Sequence, residues 1–259
     1  MDVNCIITGA TDGIGKQTAI ELSKLDYNLI LVGRNKEKCE LINQEIKSKY
    51  NNASIKFFYA DLSLISNVNN LANEIKKEYK SIDILINNVG AYFSNYKKTS
   101  ENLERTFALN HLSYFALTKS LIDIFNYKRG SKVINVASAA HFRAKLNIDD
   151  IQMENKYKGW TAYCNSKLMN ILFTYEADKR YKEKNITFNC LHPGFVNTNF
   201  GDNNKGLGKN ILSIGKKLIA LNVQNGAKTS VHLASSEAVK NISGKYFDKS
   251  KVAKSSKIS

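Results

Sequence analysis

Short apolar runs alternate with segments that carry apolar residues at helical spacing, from one end of the chain to the other. Val3 to Thr8, Asn28 to Val32, Ser54 to Tyr59, Ile82 to Ile86, Lys132 to Ala137 and Ile186 to Leu191 each have the length of a strand and are nearly unbroken in apolar residues. Strands of a parallel sheet covered by helices on both faces have this pattern, because neither face meets water. Between them, Ile14, Thr18, Leu22 and Leu25 follow one helical stripe, and Val68, Leu71, Ala72, Ile75 and Tyr79 follow another. Repeated strand–helix alternation predicts an α/β fold: a doubly wound (Rossmann) parallel sheet with helices on both faces, in a single domain. Neither an internal repeat nor a linker divides the chain. The domain is expected over residues 1–247, and the Ser/Lys-rich stretch 248–259 is expected to be a flexible basic tail.

Composition changes this picture little. The chain has 259 residues and 43% apolar residues, ample for one large core and far from a disordered composition. The formal net charge of +15 invites a nucleic-acid reading. Yet 33 of the 38 basic residues are lysines scattered through every segment, and 31 asparagines accompany them. Recognition of phosphates and bases favours the planar fork of Arg, so the surplus reads as solvated lysine on helix surfaces and no nucleic-acid partner is expected. The four cysteines lie far apart without metal-ligand spacing, so neither a metal site nor a disulfide framework is expected. The N-terminal residues run straight into a short apolar run and no stretch reaches the ~18 apolar residues of a membrane span. A cytoplasmic protein is the expectation.

The first strand ends in Thr8-Gly9-Ala10-Thr11-Asp12-Gly13-Ile14-Gly15, and a helix follows at once. Gly9 permits a tight turn, Gly13 lets backbone approach a phosphate, and Gly15 lets helix and strand pack closely. The helix N-terminus then turns free N–H groups and its positive dipole end toward an anion. Taken alone, such a turn is also an ordinary strand–helix loop. The second strand ends Val32-Gly33-Arg34-Asn35. An acidic residue here would hydrogen-bond adenosine ribose hydroxyls and select NAD; the chain offers Gly33 and Arg34 instead, and an Arg suits a 2′-phosphate. NADP(H) is the cofactor expected.

Tyr163-Cys164-Asn165-Ser166-Lys167 places a phenol and an ammonium one helical turn apart. A nearby cation favours phenolate and would draw the Tyr pKa from ~10 toward neutrality, which suits proton exchange with a carbonyl or carbinol oxygen. Ser138, just past the fifth strand, falls at the carboxyl edge of the sheet where doubly wound folds bind ligands, and its hydroxyl could polarise a substrate oxygen.

The spacing Thr-Gly-x-x-x-Gly-x-Gly followed by Tyr-x-x-x-Lys resembles the short-chain dehydrogenase/reductase family, and the resemblance spans nearly the whole chain. It implies hydride transfer between NADP(H) and a carbonyl or alcohol, with Tyr163 as acid/base, Lys167 lowering its pKa and binding the nicotinamide ribose, Ser138 orienting the substrate and Asn110 supporting a proton relay. It implies cofactor contacts from the glycine turn (Gly9, Thr11, Asp12, Gly13, Ile14, Gly15), from Arg34 and Asn35, and from Asp61 and Leu62. Asn87, Val89 (where the family has Ala) and Gly90 join them from the fourth strand, as do Pro193, Gly194, Val196 and Thr198 beyond the sixth.

Ser138-Ala139-Ala140-His141, Trp160-Thr161-Ala162-Tyr163, the His192-Pro193-Gly194 turn and Ser243-Gly244-Lys245-Tyr246-Phe247 are similar to the retinol dehydrogenase-like branch. By analogy a homodimer or homotetramer is expected. An apolar segment over 195–225 is expected to close on an apolar small-molecule carbonyl or alcohol substrate. A catalytically idle cofactor-binding regulator on the same fold is the alternative that the sequence leaves open.

Overall fold

The structure, a computed structural model, describes residues 3–50, 53–194 and 223–259. Among them, β1 (Asn4–Thr8), β2 (Asn28–Gly33), β3 (Ile55–Tyr59), β4 (Ile84–Asn87), β5 (Ser131–Val136), β6 (Ile186–His192), β7 (Lys245–Asp248) and β8 (Lys251–Ala253) form one eight-stranded sheet. Its order is β3-β2-β1-β4-β5-β6-β7-β8. All neighbours pair in parallel except β7 and β8, which form an antiparallel pair. The six apolar runs expected to be strands all lie in this sheet, their ends shifted by up to two residues.

Side chains alternate along each strand, so β1 sends Ile6 to one face and Cys5 and Ile7 to the other. On the Ile6 side the core is closed by α3 (Ile65–Glu78) and α5 (Ser113–Leu121) through Val68, Leu71, Ala72, Ile75, Leu117 and Leu121. On the opposite side α1 (Gly13–Ser23), α2 (Lys36–Lys49) and α7 (Val223–Ser235) contribute Ala19, Leu22, Ile42, Ile46 and Leu233. The long helix α6 (Gly159–Arg180) lies beside β5 and β6, with Ile171 packed on Ala137 and Cys190. Order reverses between β1 and β4, and ligand crevices of doubly wound folds open at the carboxyl ends of strands at that point.

Two expectations are corrected. The hairpin β7–β8 was absent from the predicted strand series, because Lys245-Tyr246-Phe247-Asp248 is short and flanked by charge, although Tyr246 and Phe247 are almost fully buried. The stretch 248–259 is not a loose tail. β8 pairs with β7, the Tyr175 and Ser255 hydroxyls share a hydrogen bond of 2.8 Å, and the Ser256 amide donates to His141. The closing segment 195–225 lies almost wholly outside the described residues, as do Val196 and Thr198; only its last residues, from Val223, are seen, opening α7.

Candidate active site

The glycine turn connects β1 to α1 at the switch point. Gly9 and Gly13 have φ of +65° and +52°, conformations that side chains rarely adopt. A β-carbon on Gly15 would lie 2.2 Å from the Gly9 carbonyl oxygen, so α1 can start this close to the strand only because residue 15 has no side chain. Thr8 and Asn88, both outside the predicted set, brace the turn. The Thr8 hydroxyl accepts from the amides of Asn88 and Val89, at 2.9 and 3.1 Å. The Asn88 side-chain amide donates to the carbonyls of Thr8 and Gly9, at 2.9 and 3.3 Å. No acidic residue occupies the first turn of α1, and Asp12 caps it by accepting from the Gly13 amide at 2.7 Å. A helix start leaves its first N–H groups without intrahelical acceptors.

At the end of β2, Gly33 is packed so tightly that a β-carbon there would lie 2.5 Å from Thr11 Cγ2 and 2.8 Å from Cys39 Sγ. Arg34 follows, exposed. Asn35 is committed to capping α2, its Oδ1 accepting from the Lys38 amide at 2.9 Å. Past β3, the Asp61 carboxylate accepts from the Ser63 amide and hydroxyl, and Leu62 is buried in the core. Asn87, expected to touch a cofactor, has a fully buried side chain that donates to Thr118 and Asn135 inside the protein. Adjacent residues of a strand point to opposite faces, so Asn88 rather than Asn87 turns toward the glycine turn.

Gly90 borders the space in front of α6. A β-carbon on it would lie 3.3 Å from Lys167 Nζ and 3.5 Å from Asn110 Oδ1. Asn110 sits on a π-helical turn, Ala108–Leu112, inserted between α4 (Arg105–Phe107) and α5. Such insertions are frequent at functional sites. The Asn110 side chain donates to and accepts from the backbone of Ala91, both at 2.9 Å, and reaches Ser166 Oγ at 3.2 Å. The turn's geometry leaves the Asn110 carbonyl to the Asn170 amide, at 2.9 Å. Asn170 also contacts His111 Nδ1 at 3.0 Å, and burial pushes the His111 pKa down to about 4. From Asn170 the chain of bonds runs through Thr174 to Asn135 and Asn87, all of them fully buried.

Tyr163 and Lys167 share the inner face of α6. The Lys167 ammonium donates to the Val136 carbonyl at 3.0 Å and lies 5.7 and 5.8 Å from the ring centres of Tyr114 and Tyr163. Ser138 caps the short turn after β5, its Oγ accepting from the Ala140 amide at 3.2 Å, and its hydroxyl acts on the Tyr163 phenol to lower its pKa. The expected lowering of the phenol toward neutrality does not appear. Burial pushes Tyr163 up to about 12, with the Ser138 bond pulling against it, and burial also brings Lys167 down to about 7. Removing either charge from water costs more than their mutual proximity returns at this separation. Trp160, 46% exposed, stacks on Tyr163 with ring centres 5.8 Å apart, and Tyr92 meets the same ring edge-on at 6.5 Å. Pro193 and Gly194 follow β6, Gly194 with φ of +80°.

This set brings the glycine turn together with Ser138 and the buried Tyr163 and Lys167 at the carboxyl edge of the sheet. Residues 4–206 match the short chain dehydrogenase family. The chain belongs to that family. Human retinol dehydrogenase 13 is 36% identical in a match covering 94% of this chain and 75% of that protein. Human retinol dehydrogenase 11 is 34% identical, with 96% and 77% covered. Among solved structures, a short chain dehydrogenase from Burkholderia cenocepacia J2315, in complex with NADP, superposes with a TM-score of 0.74 at 17% identity, covering 95% of each chain. This short-chain dehydrogenase is thus an oxidoreductase of the retinol dehydrogenase-like branch, a family that uses a nicotinamide cofactor. The described residues contain no cluster that could hold a metal ion, and no described helix is long and apolar enough to cross a membrane.

Proposed function

We propose that the protein reduces apolar carbonyl compounds, or oxidises the matching alcohols, with NADP(H). The observation that carries this reading is the grouping of Ser138 with the buried Tyr163 and Lys167, in which the serine hydroxyl draws the phenol's pKa down against the effect of burial. When bound, the cofactor supplies or takes up a hydride at its nicotinamide ring.

The Gly9–Gly15 turn and the start of α1 would hold the pyrophosphate. The crowding at Gly33 supports the choice of NADP(H): Thr11 and Cys39 fill the space that an acidic side chain at the strand end would need, while the exposed Arg34 would fork onto a 2′-phosphate. The small face of Gly90 leaves room for a ribose beside Lys167, and ribose hydroxyls there would supply acceptors that favour the charged ammonium.

A phenol held near 12 is protonated at neutral pH, which suits Tyr163 as the proton donor to a carbonyl oxygen. The Ser138 hydroxyl, beside that phenol, would hold the same oxygen and stabilise the charge growing on it. Lys167, near 7, can carry the replacement proton to the phenolate, and Asn110 fixes the wall behind it through Ala91 and Ser166. An apolar substrate is supported by the aromatic surroundings of Tyr163, namely Trp160 and Tyr92, and by the retinol dehydrogenase relatives.

The test is a panel of all-trans-retinal, decanal, benzaldehyde, glyceraldehyde and pyruvate, followed by loss of NADPH absorbance with NADH as control. Turnover of retinal or decanal is expected, with Tyr163→Phe slower by roughly 10²–10⁴-fold. Turnover confined to glyceraldehyde and pyruvate would overturn the substrate class. Full activity in Tyr163→Phe would overturn the mechanism.

A further inference from the structure

His141 lies outside the catalytic set, yet its ring is held on every side. It follows Ser138 by three residues, on the 3-10 turn Ala139–Arg143, and it is fully buried. Its Nδ1 lies 2.7 Å from the carbonyl oxygen of Ser138. A carbonyl only accepts, so Nδ1 must carry the ring's proton. Nε2 is then an acceptor, and the backbone N–H of Ser256 donates to it at 3.1 Å. The rings of Phe142 and Tyr246 complete the enclosure, with centres 4.0 and 5.0 Å away. Burial lowers the His141 pKa, which agrees with the neutral tautomer that these two bonds require.

Both ends of this bridge are anchored. Ser255, next to the donating amide, bonds Tyr175 on α6, the helix that also carries Tyr163 and Lys167. The Ser259 amide closes a turn onto the Ser256 carbonyl at 3.1 Å, and β8 pairs with β7 just before it. At the other end, the Ser138 backbone is extended (φ −160°, ψ 151°), with its carbonyl bonded to the His141 ring and amide. Movement of that ring would turn the peptide that sets where the Ser138 hydroxyl points.

We infer that His141 is a positioning residue for Ser138, and that the Ser256 amide fixes its ring, so that the C-terminal segment helps to align the active-site hydroxyl. The inference rests on the role proposed above for Ser138.

Half-isosteres separate the two bonds. His141→Asn keeps an N–H near the place of Nδ1 and loses the reach to Ser256. His141→Gln keeps an acceptor near the place of Nε2 and loses the donor to Ser138. Ser256→Pro removes the amide hydrogen and is read against Ser256→Ala, which retains it. Each is made in the full chain, with Ser138 and with Ser138→Ala, and assayed with NADPH and the faster of decanal and all-trans-retinal. Thermal unfolding reports folding.

A displaced catalytic hydroxyl lowers turnover more than binding. His141→Gln should lower kcat about tenfold or more with KM within about threefold, and His141→Asn should recover part of that loss. Ser256→Pro should fall below Ser256→Ala in kcat by several-fold. With Ser138→Ala, all four should change kcat by less than about twofold, because the group they act through is gone. Equal losses in both backgrounds, or a lower melting temperature with kcat intact, would overturn the inference and leave His141 a structural residue. Should His141→Gln fail to fold, the proline–alanine pair decides alone. Wild-type turnover in Ser138→Ala itself, or no turnover of any panel compound by the wild type, would instead remove the functional reading beneath it.

Discussion

Replacing Lys167 with Met should change how the stability of the nucleotide-free protein depends on pH. Burial holds the Lys167 pKa at about 7, against an ordinary value of 10.5. Between these two values the unfolded chain binds a proton that the folded protein has released. The folded state is therefore favoured as pH rises through this window and loses that stability as pH falls toward 7. A shift of about 3.5 units corresponds to roughly 5 kcal/mol across the whole window, at about 1.4 kcal/mol per unit.

Met has no proton to exchange and suits a site that is 3% exposed, beside the rings of Tyr114 and Tyr163. Other titrating groups, such as the half-buried Lys132, contribute to both proteins and cancel in the difference. Urea unfolding at pH 7.5, 8.5 and 9.5 should show the wild type gaining on Lys167→Met by about 1.4 kcal/mol per unit, or nearly 3 kcal/mol over the range. Tyr163, held near 12, does not titrate there. Curves that stay parallel within about 0.5 kcal/mol would refute a depressed Lys167, and with it the account of its proton-carrying role.

Three further outcomes are expected. Gly15→Ala drives a β-carbon to 2.2 Å from the Gly9 carbonyl, so the turn must open; calorimetry should show NADPH binding weakened by about 5–150-fold, from a strain of roughly 1–3 kcal/mol. Arg34→Ala removes a charge-assisted bond worth roughly 1.5–3 kcal/mol, so the dissociation constant for NADPH should rise about 10–150-fold while that for NADH stays within threefold; equal effects on both would remove Arg34 from the 2′-phosphate. Asn170→Leu strands the Asn110 carbonyl and the ring of His111, and denaturant unfolding should show a loss of roughly 2–4 kcal/mol.

The central strands were legible because a strand buried on both faces has to be apolar throughout, as Cys5 to Ile7 and Leu29 to Val32 are. The glycine turn was legible because close backbone approach leaves only one residue type at position 15. The inward turn of the Asn87 side chain was not legible because a motif gives residue types in order and not the face each one takes; one place along, Asn88 does the bracing. The i, i+4 spacing correctly set Tyr163 and Lys167 on one face of α6, but spacing carries no information about desolvation, which governs both pKa values. The bond from Ser256 to His141 joins residues 115 positions apart, and no local pattern in a Ser/Lys-rich terminus announces it.

The line of buried polar groups from Asn87 through Asn135, Thr174 and Asn170 to Asn110 has a consequence for folding itself. An apolar interior tolerates many near-equivalent arrangements, since Ile, Leu and Val pack against one another in several registers. Polar groups in the same place tolerate few. A β4–β5 pairing slipped by one residue would turn Asn87 and Asn135 to opposite faces, and a rotated α6 would withdraw Thr174 and Asn170 together. Each stranded group costs roughly 1–3 kcal/mol, so three or four approach the whole stability of an ordinary domain, about 5–15 kcal/mol. The thread therefore acts as a proofreading device: compact misfolds that hydrophobic contacts alone would accept are rejected, and Asn110 comes to rest in one place.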